Sequence, residues 1–366
     1  MTGSRPGSRV PAHNRLDSIC GAAMNTGLVK DPRYLEHICG KFHPESPARL
    51  QHIYSMLPSI DSEGITYIKP RYASHEELSP IHDMAYIEFI ARTQGTYASL
   101  DPDTGACPKT YEAALLAAGG CMGLADSIMS AEVSNGFALI RPPGHHAERS
   151  RSMGFCVFNN IAVAARYLQD RWGLERILVV DFDLHHGNGT QKSFYSDPSV
   201  LYFSTHQFPY YPGTGWYEEI GVGAGKGYTV NVPLSYDMND DDYVFAFKEI
   251  LVPIARLYKP DIVLVSAGFD IYCNDPLGGM SVTEGGFSEL TRMILTIAGD
   301  CCASRALFAL EGGYDPPGLA RSVKAVITAM KGCPEFNYEK KRGPSGGITG
   351  LVNDIKKVLS PYWGSF

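Results

Sequence analysis

Five nearly unbroken apolar runs, each stopping at titratable or glycine-rich sequence, limit the architectures open to this chain. They are GFALIRP (136–142), RILVVDFD (176–183), VLYFST (200–205), DIVLVSAGF (261–269) and ALFALEGG (306–313). Short runs of this kind lack the alternation of a half-exposed strand and are what a strand buried on both faces requires. Helical patterns lie between them. NNIAVAARYLQDRWG (159–173) offers Asn159 or Asn160 as a cap and Gly173 as a stop, and YVFAFKEILVPIARLY (243–258) is a second helical run. This rhythm predicts an α/β fold with a central, mostly parallel sheet and helices on both faces. No linker or internal repeat divides the 366 residues, so one domain is expected over 24–366, after a flexible extension rich in Gly, Ser, Pro and Arg over 1–23.

Other features narrow the setting. The net charge of -7 argues against a nucleic-acid surface and is compatible with basic partners. Nine scattered cysteines form no CxxC pair, which predicts a reducing, cytoplasmic environment and argues against cysteine-held zinc. No apolar stretch of about 18 residues and no signal region are apparent, so no membrane association is expected. Homo-oligomers remain open.

Strands of a parallel sheet end along one edge, where open α/β folds place their ligands. The endings here are PPGHH, DFDLHH, STH, AGFD and EGGYD. Asp183 and His185, two apart on a turn, can aim at one point, and Asp270 can join them. One nitrogen and two carboxylates leave a tetrahedral divalent ion open to water, the catalytic arrangement and not the closed structural one. His145 and His146 follow a rigid RPPG turn, where a neutral imidazole can take a proton from water and return it to a leaving amine. Asp181 and Asn188 are available as partners for their far nitrogens, and a carboxylate should make its histidine more basic than an amide does. Tyr314 can donate to a developing oxyanion, with Gly312 and Gly313 letting it move. His186 has no evident role.

Other motifs fail. GAGKG (223–227) lacks the serine or threonine and the first glycine of a phosphate loop, and HEELS (75–79) lacks the second histidine of a zinc-protease helix. NDDDY (239–243) is explained by helix capping and the helix dipole.

Taken together, HPESPARL (43–50), RPPGHHAERSRSMGFCVFNN (141–160), VDFDLHHGNGTQ, YYPGTG (210–215), SAGFDIYCNDPLGG (266–279) and LEGGYD (310–315) resemble the zinc-dependent histone deacetylase superfamily, on its class II and bacterial deacetylase-like side. The resemblance spans about residue 25 to 330. It implies an arginase-like α/β fold and hydrolysis of an N-acyl amide, with Asp183, His185 and Asp270 on one Zn2+ ion. His146 would be general base and then acid, His145 its electrostatic companion, Tyr314 the carbonyl-polarising group, and Asp181 and Asn188 partners of the histidines. Phe155 and Tyr211 would wall a channel for the acyl-lysine stem, the Gly154 carbonyl would accept the substrate amide hydrogen, and Gly313 and Leu277 would complete the substrate site. A structural K+ would use Asp181, Asp183, His185, Ser204 and Thr205.

Tyr211 stands where many deacetylases have phenylalanine, which puts a hydroxyl into the channel wall. Leu277 occupies a position where the polyamine-specific branch has an acid, so acylated lysine is favoured over a small acylated amine. Either Asp101 or Asp103, in LDPDTG (100–105), matches the family's rim aspartate. An acetylpolyamine amidohydrolase is the alternative enzyme, and a non-catalytic binding protein is a more remote one. A binuclear manganese enzyme would need more carboxylates than these motifs supply.

Overall fold

The computed structural model describes residues 25–366; the extension expected over 1–23 lies outside the described residues. Ten strands are present: β1 (Thr26–Val29), β2 (Ile65–Ile68), β3 (Ala98–Asp101), β4 (Thr104–Ala106), β5 (Asn135–Ala138), β6 (Ile177–Asp181), β7 (Val200–Gln207), β8 (Thr229–Leu234), β9 (Ile262–Ala267) and β10 (Ala306–Leu310). Eight form one sheet in the order β2-β1-β5-β10-β9-β6-β7-β8. Every neighbouring pair is parallel, so the sheet is wholly and not mostly parallel. β3 and β4 make a separate antiparallel hairpin.

The five predicted runs are β5, β6, β7, β9 and β10, and all residues of β5, β6, β9 and β10 are buried. β1, β2 and β8 were not foreseen. β2 is only partly buried and lies at one edge, while β8 forms the other edge and carries Pro233, which an edge strand tolerates because it needs fewer ladder donors.

Helices cover the sheet. Asn159 caps Asn160–Trp172 by accepting from the Ala162 amide, and Gly173 ends that helix in the left-handed region at φ 67°. The run from 243 to 258 is not one uniform helix: an α-helical turn Asp240–Ala246 passes through a π segment, Phe247–Leu251, into Val252–Tyr258. Pro253 offers no amide to the preceding turn, which favours such a widened turn there. At the start of this run Asn239 and Asp242 form a reciprocal cap, as capping chemistry predicts. Asp241 instead collects the amides of Lys341, Arg342 and Gly343, tying down the chain before the last helix, Gly346–Trp363.

One expectation needs correction. The helix Thr110–Met129 has 20 residues and a mean hydropathy of 1.2, long and apolar enough by composition to cross a membrane. It is 72% buried against the rest of the protein, and a core helix packed on all sides has this composition for that reason.

The C-terminal ends of the strands lie in register along one edge, with Asp181 paired to Ser204 on one side and Ser266 on the other. The loops that follow are held from behind by buried polar contacts. His82 is one: its Nδ1–H donates to the Glu148 carbonyl at 3.0 Å, and its Nε2 accepts from the Asn159 amide at 2.9 Å. Protonation would set N–H against N–H, and burial lowers the His82 pKa to about 4. Unfolding therefore takes up a proton between pH 6.5 and 4, so the stability contributed by neutral His82 is full above about pH 6.5 and falls with pH. The stability advantage of the wild type over His82→Gln, measured by denaturant unfolding, should shrink by roughly 2 kcal/mol between pH 7 and pH 5. An unchanged gap would show that the ring does not titrate in this way.

Candidate metal and catalytic centre

Asp183, His185 and Asp270 come from two loops, after β6 and after β9, and present ligand atoms within 4.8 Å of one another. His185 Nδ1 lies 3.2 Å from Asp183 Oδ1 and 3.0 Å from Asp270 Oδ2. Burial opposes the charged imidazolium, but the two carboxylates outweigh it and raise the His185 pKa to about 9. Burial and then the Asp183 charge push Asp270 up to about 7. The outer oxygens are also fixed: Asp183 Oδ2 accepts from the Gly312 amide at 2.8 Å and Asp270 Oδ1 from the Leu184 amide at 2.9 Å. Two buried carboxylates converging on one ring nitrogen are the donor chemistry of a divalent cation. Close approach is possible because residue 312 is glycine: a Cβ there would lie 2.3 Å from Asp270 Oδ2.

Among the described residues, two further donor groups meet the same distance limit, His37 with Cys39 and Glu45, and His145 with Cys156 and Glu311. In the first, Arg141 grips Glu45 at 2.5 and 2.6 Å and Arg49 adds a contact at 3.1 Å. Burial disfavours the Glu45 charge, yet Arg141 outweighs it and holds the carboxyl well below the usual range. Two buried guanidinium groups already balance that carboxylate and would repel a cation. In the second, His145 is taken up by Asp181 and Glu311 by backbone amides and Ser266.

The two histidine rings lie tilted against each other with centroids 3.9 Å apart but have different partners. His145 Nδ1 lies 3.1 Å from Asp181 Oδ2, whereas His146 Nδ1 lies 2.8 Å from Asn188 Oδ1. Burial works against charge on both rings. For His145 the carboxylates of Asp183 and Asp181 outweigh burial and raise its pKa to about 10. For His146 burial is reinforced by His145 and His185, and the pKa falls well below the ordinary value. The asymmetry expected from carboxylate and amide partners is therefore present in the hydrogen bonding. His146, with Nδ1 donating to the asparagine oxygen, keeps Nε2 unprotonated and available as a base.

The residues expected to wall a channel surround this cluster. Gly154 has φ 57°, and a Cβ there would lie 2.3 Å from His146 Cδ2, so the loop can pass the histidine only as glycine. Its carbonyl accepts from Cys156 Sγ at 3.3 Å. The Phe155 ring meets Tyr314 edge-on with centroids 5.8 Å apart, and Tyr211 meets His146 edge-on at 5.2 Å. Asp103 Oδ1 accepts from the Gly154 amide at 3.1 Å, while Asp101 Oδ1 accepts from the Asp103 amide at 2.8 Å. Asp103 is thus the one of the pair in contact with Gly154. Tyr210 donates to the Leu277 carbonyl at 3.0 Å and stacks on His185. Ser204 sits beside Asp181 in the sheet with its hydroxyl 2.9 Å from His206 Nδ1, and the buried Thr205 hydroxyl has no hydrogen-bond partner among the described residues. His186 links the Thr214 hydroxyl at 2.7 Å to Gln191 at 2.9 Å and so fastens the loop before β8.

Sequence reasoning missed three supporting groups. Glu311 is buried, with one oxygen accepting from the Gly144 and His145 amides at 2.6 and 3.2 Å and the other from the Ser266 hydroxyl at 3.0 Å. Arg49 donates to the Gly313 carbonyl at 2.6 Å and lies 4.9 Å from the centre of the Tyr314 ring. Glu148 accepts from the Asn188 amide nitrogen at 2.7 Å, fixing which end of that side chain faces His146. The available signal was a charged residue inside or beside each quoted motif, but nothing local paired it.

Known proteins share this fold. A family model described as the histone deacetylase domain matches residues 43–330. A probable deacetylase of Archaeoglobus fulgidus is 37% identical over 359 residues, covering 94% of this chain and 100% of the relative. Histone deacetylase 15 of Arabidopsis thaliana is 40% identical over 94% of this chain and 64% of its own length. Histone deacetylase 9 of Homo sapiens is 37% identical over 90% and 36%, so the chain spans less than two thirds of these two longer relatives. The crystal structure of the HDA15 HD domain matches with a TM-score of 0.87 and 39% identity, covering 94% of this chain and 96% of that one. A domain match across most of the chain, on a parallel sheet whose strand ends gather this cluster, establishes that the protein belongs to the histone deacetylase family, enzymes that hydrolyse amides.

Proposed function

We propose that this chain is a zinc-dependent hydrolase that removes acetyl or related acyl groups from the Nε amide of lysine in peptides or proteins. The observation that carries the reading is the convergence of Asp183, His185 and Asp270 beside a histidine pair split by a carboxylate and an amide partner. Those three side chains would hold a zinc ion, whose Lewis acidity would make water a nucleophile near neutral pH and polarise the acyl carbonyl.

The chain's own groups do the rest. Neutral His146 accepts the proton of the attacking water through Nε2 and returns it to the leaving amine. His145, charged between Asp181 and Asp183, offsets the negative charge that builds up at the reacting carbon's oxygens. Tyr314 stays protonated because burial raises its pKa well above the ordinary value, so it can donate to the developing oxyanion. Phe155 and Tyr211 hold the lysine stem, and the Gly154 carbonyl accepts its amide hydrogen. A potassium ion on Asp181, Asp183, His185, Ser204 and Thr205 is part of the same proposal, supported by the unpartnered Thr205 hydroxyl.

Asp103 is our choice for the rim aspartate, since its carboxylate borders the channel and one oxygen remains for a substrate backbone amide. Leu277 brings no charge to the mouth, which favours an acyl-lysine peptide over a cationic polyamine.

The first test compares acetyl-lysine peptides, longer acyl-lysine peptides and acetylated polyamines by kcat/KM. Peptides should lead, with activity lost on chelation and restored by zinc; faster turnover of polyamines, or full activity in metal-stripped protein, would overturn the reading. The second uses Asp103→Ala. It should raise KM for a peptide about tenfold while leaving a free acetyl-lysine analogue nearly unaffected, in line with loss of one or two backbone hydrogen bonds. An equal effect on both substrates would remove the rim role.

A further inference from the structure

Tyr314 follows two glycines, and Gly313 adopts φ 116°, so nothing in the local backbone fixes where the phenol points. The acceptor side of this segment is held by Arg49, through the Gly313 carbonyl. The donor side is held by a residue from a different loop. Asp275 Oδ2 accepts from the Tyr314 amide at 2.5 Å and from the Asp315 amide at 3.2 Å. Its other oxygen, Oδ1, accepts from the Leu277 amide at 2.9 Å.

A carboxylate that bonds the amide two residues ahead is an ordinary turn device. That explains Oδ1 and leaves Oδ2 unexplained, because its partners lie 39 and 40 positions away in the chain. Asp275 is itself only 8% exposed and its turn is closed by hydrogen bonds from the Asp275 amide to Tyr272 and from the Gly278 amide to Asp275. Beyond the clamp, Asp315 caps the helix Pro316–Met330 through the Gly318 amide, so the chain is anchored on that side as well. The loop bearing Leu277 is tied in turn to Tyr210, which stacks on His185.

We infer that Asp275 is a positioning residue for the reaction: it clamps the peptide that carries Tyr314 and joins it rigidly to the Leu277 loop at the channel mouth. This rests on the deacetylase reading for its catalytic consequence and on geometry alone for the clamp. Loss of the clamp leaves substrate binding largely intact and lets the phenol leave its donating position, so the effect falls on kcat.

The experiment is a double-mutant cycle of Asp275→Asn with Tyr314→Phe on the zinc-loaded protein, read with an acetyl-lysine peptide, together with hydrogen exchange on the same proteins. Asp275→Asn should lower kcat about 10- to 100-fold with KM little changed, as expected for a misplaced catalytic group. In the Tyr314→Phe background the same change should cost less than about twofold, since the group it positions is already gone. Exchange at the Tyr314 and Asp315 amides should rise at least about tenfold while the strand amides of the sheet stay protected. The same loss of kcat in both backgrounds, or unchanged exchange at those two amides, would overturn the inference. Should Asp275→Asn not fold, Asp275→Ser takes its place in the cycle with the same expectations. Failure of the wild type to turn over any acyl-lysine peptide would sink the functional reading instead, and the exchange data would still decide whether the clamp exists.

Discussion

The structure depends on gathering several buried carboxylates at the end of a hydrophobic sheet. Asp181, Asp183, Asp270 and Glu311 are each no more than 1% exposed, and they lie at the ends of β6, β9 and β10 or in the loops just beyond. Such a concentration of negative charge in a water-poor region is costly unless matched by hydrogen bonds and positive charge. Backbone amides from Gly144, His145, Leu184 and Gly312 meet part of the demand, and the imidazoles of His145 and His185 meet more. What is left uncompensated is centred on Asp270, whose carboxyl burial and the neighbouring Asp183 charge push up to about 7, and a cation between the two carboxylates would relieve it. A wholly parallel sheet makes this possible, because only strands that run the same way deliver their endings to one edge.

From that charge follows the division between the histidines. The chain places them next to each other, on one turn, yet gives one a carboxylate and the other an amide. The Asp183 and Asp181 carboxylates outweigh burial and raise the His145 pKa to about 10, while burial and its neighbouring imidazoles lower that of His146, so one turn carries two rings of opposite tendency to hold a proton. Glu311 ties the backbone of this turn to β9 and β10, and Glu148 decides which end of Asn188 faces His146. The hydrogen bonding of the His146 ring is therefore set through Asn188 by Glu148.

Much of this was legible in the sequence, and the reason is the topology. Once five apolar runs are read as parallel strands, their endings are neighbours regardless of separation in the chain, and the titratable residues at those endings become one site. Asp183, His185, Asp270, His145 and His146 could be grouped on that basis alone. Groups off the strand ends were not legible. Arg49 reaches Gly313 across 264 positions, and Glu45 reaches Arg141 across 96, with no periodicity that links them. Glu311 stood in view within EGG, but its partners are two backbone amides and a serine hydroxyl from another strand, which no local pattern reveals. β2 was missed because it is half covered at an edge, and β8 because asparagine and proline interrupt its apolar run. The apolar length of Thr110–Met129 was underestimated because glycines and small residues dilute its appearance, although packing buries most of it.

On this proposal a cation binds Asp183, His185 and Asp270, and not the sulfur-containing cluster at His37, Cys39 and Glu45. X-ray absorption at the zinc edge, on protein loaded with one equivalent of zinc, distinguishes the two directly, because oxygen and nitrogen ligands lie at about 2.0–2.2 Å and thiolate sulfur at about 2.3 Å. A first shell of oxygen and nitrogen alone, with a single imidazole, is the predicted result. A sulfur ligand in that shell would contradict the account.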